Sequence, residues 1–117
     1  MKKKKTIKRK NKNNIETYVY ILQSTIKNNK SYVGVSNNLI RRLQQHNGEK
    51  SGGARFTRSS RPWKFFAIFS LKNRHDALSM EWKIKHKKKK SDGIGVGSKV
   101  SSALRIAIFF PGCKRVM

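Results

Sequence analysis

Two short runs near the start of the chain have the composition and alternation that are typical of β-strands. Thr17–Leu22 places a β-branched residue at every second position, and Ser31–Val35 repeats this pattern. β-Branched and aromatic side chains fit the pleated surface of a sheet. Because the connection between the two runs is polar and rich in Asn and Lys, the pattern predicts an antiparallel hairpin.

The residues after this hairpin predict a helix that continues through His46. Ser36-Asn37-Asn38 is a helix-start signal, because these side chains can accept hydrogen bonds from the free amides of the first turn. Asn47-Gly48 supplies the stop, since glycine adopts the left-handed conformation of a helix end without strain. The apolar positions of the helix form one stripe, made of Leu39, Ile40 and Leu43.

A third strand and a second helix follow a polar loop. Lys64–Leu71 carries a near-continuous apolar run, which predicts an inner strand that is buried on both faces. Residues 74–88 predict a helix whose apolar positions are Ala77, Leu78, Met80, Trp82 and Ile84. The order β-β-α-β-α indicates an α/β domain of the α+β type, in which helices flank a small three-stranded antiparallel sheet.

Composition divides the chain into three parts. Residues 1–14 are lysine-rich and have too little apolar surface to offset the entropy of ordering, so we expect a disordered basic arm. The folded domain is expected over residues 15–90. The remaining tail, residues 91–117, starts with regularly spaced glycines and continues with an apolar segment around Val100–Phe110, for which helix and strand both stay open.

The chain is strongly basic, with a formal net charge of +24 and five acidic residues. A polyanion is the expected partner, although lysine runs also serve as solubilising tails, localisation signals or ligands of anionic membranes. No apolar stretch approaches the roughly 20 residues of a membrane-spanning helix. Cys113 is the single cysteine, which excludes an internal disulfide and a cysteine-built zinc site. We therefore expect an intracellular protein, in the nucleus or the cytoplasm, that binds nucleic acid.

Glu81 is an acidic residue with an unexpected position. On a helical wheel of 100° per residue it falls inside the apolar arc of the second helix, between Ala77 and Leu78. A carboxylate that faces a core is costly unless it is paired, protonated or bound to a cation. Two interpretations stay open, a buried ion pair with an arginine and a metal ligand.

Arg42 and His46 are four residues apart on the first predicted helix, so they project from the same side. A guanidinium beside an imidazole suits a phosphate group, because the first neutralises charge on the phosphoryl oxygens and the second positions water or a leaving group. The alternative interpretation is an ordinary solvated helix face.

Tyr20 and Tyr32 lie on the two strands of the hairpin, where cross-strand partners approach within about 5 Å. Such tyrosines commonly only pack, but a hydroxyl near a metal or an arginine can have its pKa lowered enough to accept a proton from water. Gly34 is on the same face as Tyr32 and leaves space for a backbone or a substrate to approach.

The loop before the third strand interleaves arginines with aromatic rings. Its arginines are candidate phosphate ligands, while Phe56 or Trp63 would stack on an exposed base at a branch or single strand. For Trp63, packing in the core is an equally open interpretation. The candidate nucleic-acid-binding residues are Arg41, Arg55, Arg58, Arg61, Lys83 and Lys87.

Four short motifs occur in the order that is found in GIY-YIG nucleases: Tyr18-Val19-Tyr20, Tyr32-Val33-Gly34, Arg42 with His46, and a helical Glu81. The resemblance covers roughly Thr17–His86. Further segments resemble the catalytic subunit of eukaryotic structure-specific flap and junction endonucleases: Arg41–Gly48, Ser51–Thr57, Arg61-Pro62-Trp63 and Met80-Glu81-Trp82. The sequence departs from that pattern in two respects, since Tyr18 replaces the first glycine and the cysteine-rich zinc module of the subunit has no counterpart.

This resemblance implies a role for each candidate residue. Glu81 would be the metal ligand, Arg42 the transition-state clamp and Tyr20 the base that acts on the attacking water. Tyr32 and His46 would orient water or phosphate. The implied activity is metal-dependent hydrolysis of DNA at branched or flap structures, in repair or recombination. Mg²⁺ or Mn²⁺ is the expected cofactor, because these ions suit an oxygen-rich site that keeps several waters.

Two other functions stay open at the level of sequence. A non-catalytic nucleic-acid-binding protein would keep the same fold and basic surface, and a metal-dependent cleavage assay separates it from a nuclease. A secreted cationic, membrane-active protein is disfavoured by the lack of a signal-peptide core and of paired cysteines. The sequence does not indicate whether a protein partner is needed.

Overall fold

The two alternating runs form the predicted antiparallel hairpin in a computed structural model of the chain, which describes residues 15–117. The hairpin consists of strands β1 (Thr17–Ser24) and β2 (Ser31–Ser36). The predicted basic arm, residues 1–14, lies outside the described residues.

Five further helices and strands follow, the first three of them in the predicted order α-β-α. They are α1 (Leu39–His46), β3 (Trp63–Leu71), α2 (Arg74–His86), α3 (Gly95–Ala107) and β4 (Lys114–Arg115). Short 3₁₀ turns span Arg55–Arg58 and Lys90–Asp92. Helix α3 resolves the alternative that the sequence left open for the segment around Val100–Phe110.

The sheet has four strands, in the order β2-β1-β3-β4, and all pairs are antiparallel. The prediction of three strands was therefore wrong in this detail. The fourth strand is only Lys114–Arg115, which pairs with Phe69 and Ser70 of β3. Two exposed basic residues have neither the alternation nor the β-propensity that mark a strand, so sequence patterning has nothing to detect there.

Helices cover both faces of the sheet. Helices α2 and α3 pack on one face, in a core that consists of Val19, Ile21, Val33, Ala67, Phe69, Leu71, Ala77, Met80, Ile84, Ala103, Ile106 and Phe110. Helix α1 packs on the other face, which contains Tyr20, Leu22, Trp63 and Ile68, with Tyr32, Leu39 and Leu43 against them. Because β3 contributes to both cores, its run from Ala67 to Leu71 is buried throughout, as predicted.

The predicted apolar stripes of the helices were partly wrong. Leu78 and Trp82 are 42% and 51% exposed, and Ile40 of α1 is also largely exposed. Helix α2 packs on the sheet through Ala77 and Met80. Leu78 and Trp82 lie about 100–140° around the helix from Ala77, so they face solvent. Within residues 15–117, no helix is long and apolar enough to cross a membrane.

Candidate active site

The hairpin positions the two candidate tyrosines on the face that α1 covers. Tyr20 pairs with Gly34, and Leu22 pairs with Tyr32, so the tyrosines are diagonal neighbours rather than direct cross-strand partners. The ring of Tyr20 lies over Gly34, where an added Cβ would be 2.5 Å from Cζ of Tyr20. The expectation that Gly34 leaves room for a substrate was therefore wrong, because the room is taken by Tyr20.

Replacement of Gly34 by Ala is expected to displace the hydroxyl of Tyr20. The added methyl group forces the ring aside, and in the reaction that the sequence resemblance implies, a shift of about 1 Å costs on the order of 100-fold in turnover. Overpacking also lowers the free energy of unfolding by about 1–3 kcal/mol. Gly97→Ala is the matched control, since no atom lies near its added Cβ and Ala favours a helix interior. Cleavage kinetics with a melting curve check this, and normal turnover of Gly34→Ala would contradict the placement of Tyr20.

Helix α1 is fixed at both ends, which determines where His46 lies. Asn38 caps its N-terminus by accepting from the backbone amide of Arg41, and the predicted helix start and stop are confirmed. At the other end Asn47 forms two hydrogen bonds with the backbone of Trp63, at 2.6 and 3.0 Å. Arg61 donates its Nε–H to the carbonyl of His46 at 2.8 Å. The last turn of α1 is thereby held against the start of β3.

His46 is fully buried at the centre of the candidate site. Its Nε2 lies 2.7 Å from the hydroxyl of Tyr20, and its Nδ1 lies 2.8 Å from Oγ1 of Thr57. Ring centroids of Tyr20 and Tyr32 lie 5.7 and 5.0 Å from the imidazole. Both tyrosines therefore contact the same histidine.

Burial controls the protonation of this cluster. Burial raises the pKa of Tyr20 to about 12, although the nearby guanidinium of Arg42 opposes this rise. The pKa of Tyr20 is thus raised, whereas the sequence had suggested a lowered value. Burial, together with the charges of Arg42 and Arg61, lowers the pKa of His46 to about 4. At neutral pH Tyr20 keeps its proton, and His46 is a neutral hydrogen-bond acceptor.

The lowered pKa of His46 predicts a loss of stability in mild acid. Between pH 4 and 6.5 the unfolded chain binds a proton at His46 while the folded chain does not, so the free energy of unfolding falls as pH drops through this window. Denaturant titrations at pH 7 and pH 5 measure the change. His46→Gln is expected to show a flatter dependence, whereas His75→Gln, at an exposed position, keeps the wild-type slope. Equal slopes in all three proteins would contradict the neutral state of His46.

Arg42 is held in place by Gln45 of α1 and by the loop that follows this helix. Its guanidinium donates to Oε1 of Gln45 at 2.8 Å and to the carbonyl of Gly52 at 2.9 Å. Gly53 allows this approach, because an added Cβ there would be 2.9 Å from the backbone carbon of Gln45. An open cavity of about 460 Å³ adjoins this loop and is lined by Gln45, Gly48, Lys50, Ser51, Gly52, Gly53, Arg58 and Arg61.

Glu81 is at the edge of the buried face of α2, with 21% of its side chain exposed. Its Oε2 accepts a hydrogen bond from Nζ of Lys85 at 2.9 Å, and this ammonium lies 5.7 Å from the ring centroid of Tyr32. The ion pair that the sequence suggested is present, but its partner is a lysine one turn away and not an arginine. Through Lys85 and Tyr32, the carboxylate joins the cluster around His46.

Glu81 also provides the test of whether a divalent ion fits this site. Within residues 15–117 no three side chains of His, Cys, Asp or Glu come together as a metal cluster. A single partly exposed carboxylate nevertheless suits Mg²⁺, which is commonly bound through one or two carboxylates, substrate phosphates and several waters. In the structure the carboxylate of Glu81 is paired with the ammonium of Lys85, so a metal ion would compete with Lys85 for it. Glu81 therefore fits a divalent ion that is bound weakly and keeps several waters.

The candidate nucleic-acid residues near the loop lie close to this cluster. Arg41, Arg55 and Arg58 are exposed, and Arg58 and Arg61 share the cavity beside Arg42. Phe56 is 47% exposed and stacks on Tyr32, with ring centroids 6.0 Å apart. Trp63 is buried, and its indole N–H donates to the carbonyl of Thr57. The core-packing interpretation of Trp63 is therefore confirmed, and its ring is not available to stack on a base.

Lys83 and Lys87 are on a different side of α2. They line an open cavity of about 600 Å³ between α2 and α3, together with Ser79, Lys89, Arg105, Ile106, Phe109 and Phe110. Residues two positions apart on a helix point about 200° away from each other, so Lys83 faces away from Glu81. The structure does not bring these two lysines to the candidate site.

Several residues of the site were missed by sequence reasoning. Thr57 lies eleven positions after His46 and contacts it, and Asn47 joins α1 to β3. Neither contact follows from a helical or strand period, because each joins segments that are far apart in sequence. The contact between Lys85 and Glu81 could have been predicted, because residues four apart on a helix are neighbours and the order Glu before Lys is the favourable one.

These features define a small α/β domain with a buried Tyr-His pair, an arginine beside it and a glutamate at its edge. Residues 16–94 match the model of the GIY-YIG catalytic domain, and the chain belongs to this family. The resemblance that the four motifs indicated is confirmed.

Curated relatives support the same family. A structure-specific endonuclease subunit SLX1 of Ajellomyces capsulatus is 46% identical over 72 residues, which is 59% of this chain and 17% of that protein. A homologue of that subunit in Cryptosporidium parvum is 43% identical over 77 residues, 64% of this chain and 19% of that protein. A UPF0213 protein of Pediococcus pentosaceus is 36% identical over 74 residues, 63% of this chain and 74% of that protein. The chain thus spans about a fifth of these two endonuclease subunits.

Proposed function

We propose that the chain is an endonuclease that hydrolyses DNA phosphodiester bonds with the help of a divalent metal. The observation that carries this proposal is the buried hydrogen bond between Tyr20 and His46 beside the fixed guanidinium of Arg42, with the Glu81 carboxylate at the edge. A buried polar cluster that faces a basic surface is arranged for an anionic substrate.

Arg42 supplies the charge that hydrolysis of a phosphodiester needs. The transition state places additional negative charge on the phosphoryl oxygens, and a fixed guanidinium stabilises it more than it stabilises the ground state. Gln45 and Gly52 both accept from Nη1 of Arg42, so the N–H groups of Nη2 and Nε are held in a fixed orientation. Preorganisation of this kind avoids the cost of reorienting a donor during the reaction.

Tyr20 and His46 act on the attacking water as a pair. Tyr20 keeps its own proton at neutral pH, so it accepts a proton from water only while it passes its own to His46. His46 is neutral and 2.7 Å away, in the position to receive that proton. A bound phosphate would offset the charges of Arg42 and Arg61, which oppose protonation of His46. Tyr32 packs on His46 and orients the water or the phosphate.

Glu81 would hold the metal, and Mg²⁺ or Mn²⁺ suits its single carboxylate. The bound ion would act as a Lewis acid that neutralises charge at the phosphate. Lys85 would compete with the ion for this carboxylate, because its ammonium already donates to Oε2. The affinity for metal without DNA is therefore expected to be weak.

The proposed substrate is DNA with a branch or a flap, in repair or recombination. The names of the fungal and apicomplexan relatives describe subunits of structure-specific endonucleases. In this chain Arg55 and Arg58 are exposed next to Phe56, whose ring is half-exposed and adjoins Tyr32. Arginines that bind phosphates beside a ring that stacks on a base fit a single-stranded portion of DNA. Action together with a protein partner, as the word subunit indicates for the relatives, is part of the proposal.

A cleavage assay on matched DNA substrates tests this function. End-labelled flap, fork, four-way junction and plain duplex are incubated with the wild-type chain in Mg²⁺, in Mn²⁺ and in EDTA. Tyr20→Phe is the control for contaminating nuclease, because it keeps the buried ring and removes the hydroxyl. We expect metal-dependent cleavage of the branched substrates by the wild type alone. Equal rates on duplex would contradict the preference for branches.

A second candidate function is favoured by the charge of the chain. A non-catalytic nucleic-acid-binding protein would need the basic surface but not the cluster around His46. Tight binding of every substrate with no cleavage in either metal, by the chain alone and together with a partner, would favour this function. The salt dependence of binding then measures the number of phosphates that are contacted.

A further inference from the structure

Thr57 lies in the 3₁₀ turn between α1 and β3 and is fully buried. Its hydroxyl group has two neighbours. Oγ1 donates to the carbonyl of Ala54 at 2.9 Å, and it lies 2.8 Å from Nδ1 of His46. A hydroxyl group has one hydrogen, so it cannot donate to both neighbours at once.

The hydrogen-bond directions follow from this single hydrogen. Because Thr57 donates to Ala54, its oxygen is an acceptor toward His46, and Nδ1 must carry a proton. Neutral imidazole has one N–H, so Nε2 has a free lone pair and accepts the proton of Tyr20 at 2.7 Å. If Nε2 carried the proton instead, it would donate to the oxygen of Tyr20. The hydroxyl hydrogen of Tyr20 would then have no acceptor within residues 15–117. Arg42 cannot accept it, because a guanidinium only donates.

The position of Thr57 is itself fixed by its neighbours. The buried indole N–H of Trp63 donates to the carbonyl of Thr57 at 2.9 Å, and the amide of Thr57 donates to Ala54 at 3.1 Å. Trp63 is in turn joined to α1 through Asn47. The hydroxyl of Thr57 therefore faces His46 from a rigid support.

We propose that Thr57 is a positioning residue that fixes the Nδ1-protonated tautomer of His46, so that Nε2 accepts the proton of Tyr20. The inference rests on the proposed nuclease function for the reaction that it serves. Thr57 acts only through His46.

The tautomer determines whether the proton transfer can occur. As the water oxygen bonds to phosphorus, the water proton passes to Oη of Tyr20, and the Tyr20 proton passes to Nε2 of His46. The phosphorus bond to the leaving oxygen breaks, and solvent protonates that oxygen. His46 then has two N–H groups, and the one on Nδ1 is already bound to Thr57. The other tautomer has no lone pair at Nε2 and would stop the transfer.

Nitrogen NMR of the free protein tests the tautomer without any cleavage assay. In ¹⁵N-histidine-labelled wild type at pH 7, His46 is expected to show a protonated Nδ1 and an unprotonated Nε2. In Thr57→Val, which removes the hydroxyl at constant shape, the population is expected to shift toward Nε2–H. Thr57→Ser retains the hydroxyl and is expected to keep the wild-type spectrum. An Nε2–H tautomer in the wild type would overturn the proposal.

Kinetics test the consequence of the tautomer. We expect Thr57→Val to lower kcat roughly 10- to 100-fold with little change in KM, the effect found when a partner that orients a histidine is removed at metal sites. Thr57→Ser is expected to restore most of the rate. Thr17→Val is the matched control, since Thr17 is also buried and also donates to a backbone carbonyl, that of Ile15, away from the site.

The outcomes separate this inference from the proposed function. Wild-type kcat in a folded Thr57→Val protein overturns the positioning role. If Thr57→Val does not fold, the wild-type and Thr57→Ser spectra decide the tautomer. If the wild type, alone and together with a partner, cleaves no DNA with Mg²⁺ or Mn²⁺, the nuclease proposal fails, while the NMR result still decides whether Thr57 controls His46.

Discussion

Glu81→Gln is expected to abolish metal-dependent cleavage while it leaves the fold and DNA binding intact. The amide has the shape of the carboxylate but no charge, so it binds a divalent cation poorly. A metal contributes several kcal/mol of transition-state stabilisation, and each 1.4 kcal/mol is tenfold in rate, so we expect a loss of roughly 1,000-fold or more. Loss of the ion pair with Lys85 changes the free energy of unfolding little, since pairs one turn apart on a helix contribute about 0.3–0.5 kcal/mol.

The measurement compares single-turnover cleavage of a flap substrate with binding of the same substrate. Glu49→Gln is the control, because it removes one negative charge from an exposed position in the loop after α1. EDTA is expected to reduce the wild type to the rate of Glu81→Gln. A variant that cleaves at the wild-type rate in Mg²⁺ would exclude Glu81 as the metal ligand.

Sequence patterning predicted the elements around the site because their signals are local. The cap at Asn38 and the stop at Asn47-Gly48 placed the ends of α1 correctly, and the spacing of Arg42 and His46 put both on one side. The alternation in β1 and β2 placed both tyrosines on one face. In each case, the residues that determine the conformation are within a few positions of one another.

Features that depend on contacts between distant segments could not be predicted in this way. The support of His46 by Thr57 exists only when the loop folds back on α1. Trp82 matches a helical apolar stripe but stays exposed, because the direction in which α2 lies on the sheet selects a different ridge. The raised pKa of Tyr20 has the same origin, since it depends on how deeply α1 and β3 bury the ring.

Arg42→Lys and Arg42→Ala are both expected to lose most of the turnover, on the order of 100-fold or more, while DNA affinity stays within a few-fold of wild type. Many of the 29 basic residues share ground-state binding, so the loss of one changes affinity little. Turnover differs, because charge that appears on the oxygens in the transition state needs a donor that is already in place. Gln45 and Gly52 hold the guanidinium of Arg42 in that position.

The lysine variant separates geometry from charge. Both hydrogen bonds to Gln45 and Gly52 come from Nη1, which leaves Nη2 and Nε of the planar guanidinium for the phosphate, whereas an ammonium keeps the charge but has no second nitrogen, so rescue should be poor. Arg74→Lys and Arg74→Ala make the same changes at an exposed residue at the start of α2 and are expected to leave kcat near wild type. A near-normal rate for Arg42→Lys would reduce the role of Arg42 to bulk electrostatics. Weak binding with normal turnover at saturating DNA would instead make Arg42 a binding residue.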